Sequence, residues 1–210
     1  TREGVNYAIE LLASLMQQVP PGLPGVDIMW PYALVGETSP NWQVAYSSQN
    51  PNPDSNRASL SINPTEPGPT PTALHELGHW LDLGTGRPDS GMSITQEVND
   101  AIYGSRTMQY ALDRLNTASS PEPAPYAPLD YFQYAVDPAE TFARAFSSYV
   151  MQKVTGDMSS GTRYQPGVDT WGLTWQTDEF RPIYDALDLM FSEYLRPEWL
   201  SGGPEDMGVG

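Results

Sequence analysis

The chain contains no cysteine. Disulfide cross-links and thiolate metal sites are therefore excluded, while the compartment stays open. Lysine is almost missing, with Lys153 the single example in 210 residues. Acidic residues number 26 against 10 basic ones, for a formal net charge of −16. That balance argues against nucleic acid and against an anionic membrane surface as partners. No apolar run approaches the roughly 18 residues needed to cross a bilayer. No signal peptide opens the chain, which begins at Thr1 and so reads as a processed product or an excised domain. Histidine is nearly as scarce as lysine: there are two, four residues apart.

Tyrosine, tryptophan, proline and glycine are plentiful, which favours ordered loops over disorder. The length suits one domain, residues 1–210, with a substantial core. Within it, 1–84 reads as an N-terminal helix, a sheet and a central helix; 85–200 reads as mainly helical; 201–210 reads as a tail. The acidity is spread along the chain, so a solvated acidic surface is the plain reading, with a preference for basic substrates as the alternative. Oligomeric state is not legible.

Both histidines lie in Thr72–Leu83, TALHELGHWLDL. Four residues is about one helical turn, so His75 and His79 share a face and can grip one metal ion. Glu76 projects beside them, where a carboxylate can take a proton from a metal-bound water. The competing reading is a buried helix with two hydrogen-bonded histidines. The local context suits the metal reading: Thr70 as N-cap, Pro71 at the first helical position and Gly84 at the far end. Ala73, Leu77, Trp80 and Leu81 form an apolar stripe beside the histidines. Gly78 costs about 1 kcal/mol relative to alanine within a helix; its use is to let another backbone pass close to the metal.

Upstream, residues 4–19 carry apolar residues at helical spacing (Val5, Ile9, Leu12, Leu15, Met16, Val19) up to Pro20 and Pro21. Val26–Leu34, Trp42–Ser48 and Ala58–Asn63 read as short strands separated by Pro, Gly and Asn clusters. The expected fold class is therefore α+β, a small mixed sheet packed on the metal-bearing helix, and one of its edges could accept an extended peptide. Ser93–Asn116 reads as helix with a break near Gly104, and 117–130 as irregular. Asp137 and Pro138 are a good N-cap and first residue for a helix over AETFARAFSSYV. Residues 151–176 read as loop, Glu179–Leu195 as a last helix, and the tail from Pro197 as peripheral.

Glu140 lies in the first turn of the helix after Pro138. A first-turn glutamate ordinarily serves the helix dipole or a capping box. A two-histidine zinc site lacks a protein ligand, however, and a carboxylate on a downstream helix is a standard third one. On spacing alone Asp82 competes, but it sits on the same straight helix, three residues past His79.

HELGHWLD followed about 60 residues later by YAVDPAETFARAF resembles the gluzincin type of zincin metallopeptidase. Within it, the pattern is similar to the zincin-like domain of phage and mobile-element proteins known as large polyvalent protein-associated domain 1, and more distantly to peptidases of the anthrax lethal factor type. The resemblance covers roughly residues 63–151. It implies a zincin-like fold with zinc held by His75, His79 and Glu140. It also implies Glu76 as general base and proton donor, and a tyrosine near the third ligand that helps hold the developing oxyanion. Tyr134 matches that position, with Tyr131 as the substitute; a half-buried loop aromatic is the alternative for Tyr134. One departure from the thermolysin pattern is Arg144, which stands where an aspartate would follow the ligand glutamate by four. Arg144 could pair with Asp82 or another acid instead. The expected activity is zinc-dependent hydrolysis of peptide bonds in a protein or peptide substrate. The alternatives are a non-catalytic binding or structural module of a phage or conflict-system protein, and a toxin peptidase that cuts a host protein.

Overall fold

The computed structural model describes residues 2–18, 25–29, 43–45, 57–61, 69–85, 94–117, 129–156 and 173–200. In chain order these form α1 (Arg2–Leu15), β1 (Gly25–Met29), β2 (Gln43–Ala45), β3 (Arg57–Ser61), α2 (Pro69–Thr85), α3 (Gln96–Gly104), α4 (Arg106–Thr117), α5 (Leu129–Ala135), α6 (Pro138–Thr155) and α7 (Thr177–Phe191). A short 3-10 turn follows at Pro197–Trp199.

The centre is α6. Asp137 caps it, its Oδ1 accepting from Ala139 N at 3.0 Å and Glu140 N at 3.4 Å. Gly156 closes it in the left-handed conformation, φ 72°, which glycine adopts without steric cost. Twelve of its 18 residues are buried. A helix buried nearly all round has neighbours on every side. Leu74, Leu77 and Leu81 of α2, Leu12 and Leu15 of α1, Ile183, Leu187 and Phe191 of α7, and Val98 and Ile102 of α3 join Phe142, Phe146 and Tyr149 in one core. Phe146 meets Phe191 edge-on at 5.6 Å between centroids, a preferred aromatic geometry. A smaller cluster of Ala111, Phe132, Ala135 and Leu173 lies under α5.

The α+β expectation does not hold. The described residues are mostly helical, and every core side chain described lies on a helix or in the segments flanking α1 and α7. The strands are five, three and five residues long, in the order β1–β3–β2, with β3 parallel to β1 and antiparallel to β2. The long amphipathic and fully buried helices supply the core instead.

Several element ends also differ from expectation. α2 begins at Pro69, so Thr70 is not its cap; the Thr70 hydroxyl instead donates to Gly4 O at 2.9 Å, tying α2 to α1. Gly84 lies inside α2. In α1 the inward face is Val5, Ala8, Leu12 and Leu15, and Ile9 is exposed. The break between α3 and α4 falls at Ser105. α6 continues five residues past Val150. From Pro197 the described residues are mostly exposed, as expected of a peripheral tail, and are tied to α1 where Trp199 Nε1 donates to Ser14 O at 2.9 Å; just before them Arg196 Nε donates to Ala13 O at 2.9 Å. Residues 157–172 of the expected loop, most of 117–130 and the 201–210 tail lie outside the described residues.

Candidate metal centre

His75 and His79 stand one turn apart on α2, and Glu140 stands in the first turn of α6. The two helices bring them together. His75 Nε2 and His79 Nε2 are 3.1 Å apart. Glu140 Oε2 lies 3.2 Å from His75 Nε2, and Glu140 Oε1 lies 3.2 Å from His79 Nε2. The imidazoles meet edge to face, and each Nε2 faces an oxygen of the same carboxylate. Among the described residues no fourth imidazole or carboxylate joins this group, and Asp82 is outside it.

The donor set suits a metal ion. Tetrahedral ligands on arms of about 2.0 Å have edges of about 3.3 Å, close to the three distances above. Two neutral imidazole nitrogens and a carboxylate oxygen are borderline donors of the kind zinc accepts. Glu140 Oε2 is buried and has no hydrogen-bond partner. Such a buried, polar, unsatisfied atom calls for a ligand or an ion. These three residues could hold a metal ion.

The electrostatics follow from burial and from Glu140. Burial lowers the pKa of His75, outweighing the pull of Glu140; the neighbouring His79 and Arg144 add to the lowering. Burial opposes charge on His79 as well. There the contact with Glu140 and the charges of Glu140, Glu76 and Asp82 prevail, and its pKa is raised. Burial would raise Glu140, but its contacts with His75, His79 and Tyr134 hold it well below the usual carboxylate range. The carboxylate is thus ionised, His75 is kept neutral and His79 holds a proton more readily than a free histidine.

Glu76 is buried on α2, and its charge is felt at both His79 and Tyr134. Tyr134, on α5, is half exposed. Its hydroxyl lies near Glu140, and burial together with that carboxylate raises its pKa far above the ordinary tyrosine value. Tyr131 also lies on α5, but its side chain is outside the described ones. Of the expected site residues, His75, His79 and Glu140 are brought together, while Glu76 on α2 and Tyr134 on α5 are near enough for their charges to be felt there.

Three further residues, Gly78, Ser147 and Arg144, build the surroundings of the site. Gly78 lies against Ala143, which lets α2 and α6 approach backbone to backbone. Ser147 Oγ donates to Pro71 O at 3.0 Å and ties the same helices near the start of α2. Arg144 is buried and donates to Ala135 O and, at 3.5 Å, to Leu173 O, with its guanidinium 5.3 Å over the Trp175 ring. Backbone carbonyls and a ring are thus among its partners. No signal short of the fold could have named those carbonyls.

Comparison with known proteins gives no match to any family model, curated protein or solved structure.

Proposed function

We propose that this chain is a zinc-dependent peptidase of the gluzincin type. The observation that carries the reading is the triangle of His75, His79 and Glu140 with Glu76 buried on the same helix turn. A purely structural site has no use for that glutamate.

His75, His79 and Glu140 would hold the zinc. When bound, zinc acidifies a water and polarises a carbonyl. Glu76 accepts the proton of the attacking water at its carboxylate and delivers it to the leaving nitrogen of the peptide. Tyr134 lies beside both Glu140 and Glu76 with its ring at the surface. We assign its hydroxyl to the oxygen that gains charge as the carbonyl becomes tetrahedral. The substrate class is protein or peptide.

Glu76→Gln keeps the size of the side chain and removes the base. The expected result is zinc content near one per chain with cleavage of an unstructured protein substrate lost. A variant that cleaves as fast as the parent would remove Glu76 from the mechanism.

A further inference from the structure

The turn between α5 and α6 separates Tyr134 from Glu140 by only a few residues. α5 stops there because Pro138 disfavours helical geometry at Asp137. The last carbonyls of a helix have no partner within it. Those of Phe132 and Tyr134 accept from Val136 N and Asp137 N, each at 3.1 Å. The next two are met by side chains from elsewhere in the fold: Arg144 Nη2 donates to Ala135 O, and Tyr103 Oη of α3 donates to Val136 O at 2.9 Å. Asp137 caps α6 with its side chain and accepts from Thr141 N at 2.9 Å with its carbonyl. The elbow is thus fixed on both flanks.

Arg144 stands one turn after Glu140 on the same helix. A buried guanidinium is costly to desolvate, and an apolar side chain would fill the space at less cost. What an apolar side chain lacks is direction: it cannot hold a carbonyl at a set position. Arg144 is itself fixed, lying over Trp175, whose Nε1 donates to Ser105 Oγ at 3.0 Å.

We propose that Arg144, seconded by Tyr103, is a positioning residue that clamps the α5–α6 elbow and so keeps the Tyr134 hydroxyl on Glu140. The clamp rests on the reading of His75, His79 and Glu140 as a zinc site. It acts on Glu140 through Tyr134 and touches neither the ion nor the substrate. Loss of the clamp leaves the three ligands in the chain but frees Tyr134 to move away, and outer groups that orient metal ligands commonly contribute 10–100-fold in affinity.

The test is a double-mutant cycle read by zinc affinity, measured on the full chain by competition with a chromogenic chelator, with thermal unfolding followed in parallel. Tyr134→Phe and Arg144→Met each weaken zinc by about 10-fold. The double variant is also weaker by about 10-fold, not about 100-fold, because both changes remove the same restraint. Arg144→Lys, with one donor direction in place of a fork, recovers part of the loss. If Arg144 serves stability alone, Arg144→Met lowers the melting temperature and leaves zinc affinity at the parent value, which overturns the proposal. Multiplicative losses in the double variant overturn it too. Should Arg144→Met not fold, Tyr103→Phe takes its place in the same cycle, with the same expectation and the same refutations. A parent chain that binds no zinc refutes the metal reading itself, and the clamp falls with it.

Discussion

Gly78 and Ala143 meet where the two ligand-bearing helices cross. A Cβ placed on Gly78 would lie 2.8 Å from Ala143 Cα and 3.2 Å from Ala143 O. Both are backbone atoms, so the conflict cannot be relieved by turning a side chain. Gly78 follows His75 by three residues and Glu140 precedes Ala143 by three, so the crossing point and the ligands share faces of their helices. The separation of α2 from α6 at this point sets the distance between imidazoles and carboxylate.

Gly78→Ala is therefore expected to act against its own helix propensity. Alanine favours the helix by about 1 kcal/mol, but forcing the helices apart costs about 1–3 kcal/mol. The larger effect falls on the site, with zinc affinity reduced by about 10-fold or more as Glu140 moves off the histidines. Ala143→Gly does not rescue it, since the Cα and carbonyl remain. Calorimetric zinc titration of the two single variants and the double checks this. Parent-like affinity in Gly78→Ala would show that the close approach is dispensable.

The pH dependence of metal binding follows from the unequal histidines. In the metal-free chain His79 is raised above the ordinary value of 6.5 and His75 is lowered below it. At pH 6.5 most of the proton competition comes from His79, while Glu140 stays ionised. Zinc affinity should fall as pH drops through neutrality, beginning above pH 6.5. Titration calorimetry in buffers of differing ionisation enthalpy should show proton release at that pH coming mainly from His79, with His75 adding to it only at lower pH. The lowered Glu140 has its own sign: it stabilises the metal-free fold above the ordinary glutamate range, and that contribution is lost on acidification. Release near two protons at pH 6.5 would contradict the asymmetry.

Tyr134→Phe separates the two duties given to its hydroxyl. With zinc held saturating, the kcat of peptide cleavage should drop by about 100-fold for loss of one donor to the developing charge, with KM little changed. An unchanged kcat under those conditions would confine Tyr134 to holding Glu140.

Lys153 tests the far end of α6. It is buried, ion-paired to Asp188 Oδ1, and lies 5.8 and 5.6 Å from the Tyr149 and Tyr184 ring centroids. Tyr149 donates to the same Asp188 oxygen at 2.7 Å. Lys153→Met should lower stability by about 1–3 kcal/mol, less than for a fully buried pair because the Asp188 side chain is 33% exposed. Zinc affinity should be unchanged. A shift in the urea midpoint measures the effect, and no shift would show that the pair contributes nothing.

The site was legible where its logic is local. One helical turn between His75 and His79, and the Asp137–Pro138 start of the next helix, are written in consecutive residues. Glu140 could be singled out because a zinc pair needs a third ligand. Other features depend on distant parts of the chain. α5 has seven residues, too few to show a period, and was not expected as a helix. The carbonyl partners of Arg144 belong to the fold and to no local pattern. Thr70 looked like a cap, yet its partner is Gly4, 66 residues away. The fold class follows from the share of helix among the described residues, which three short apolar runs between Pro, Gly and Asn clusters do not reveal.

The central claim is that a carboxylate from α6 completes a site begun by two imidazoles on α2. Zinc titration of the parent and of Glu140→Ala tests it most directly. The account predicts one tight zinc per parent chain, and affinity weaker by about 100-fold or more once the charged ligand is gone. Stoichiometric zinc bound by Glu140→Ala with the parent's affinity would contradict it.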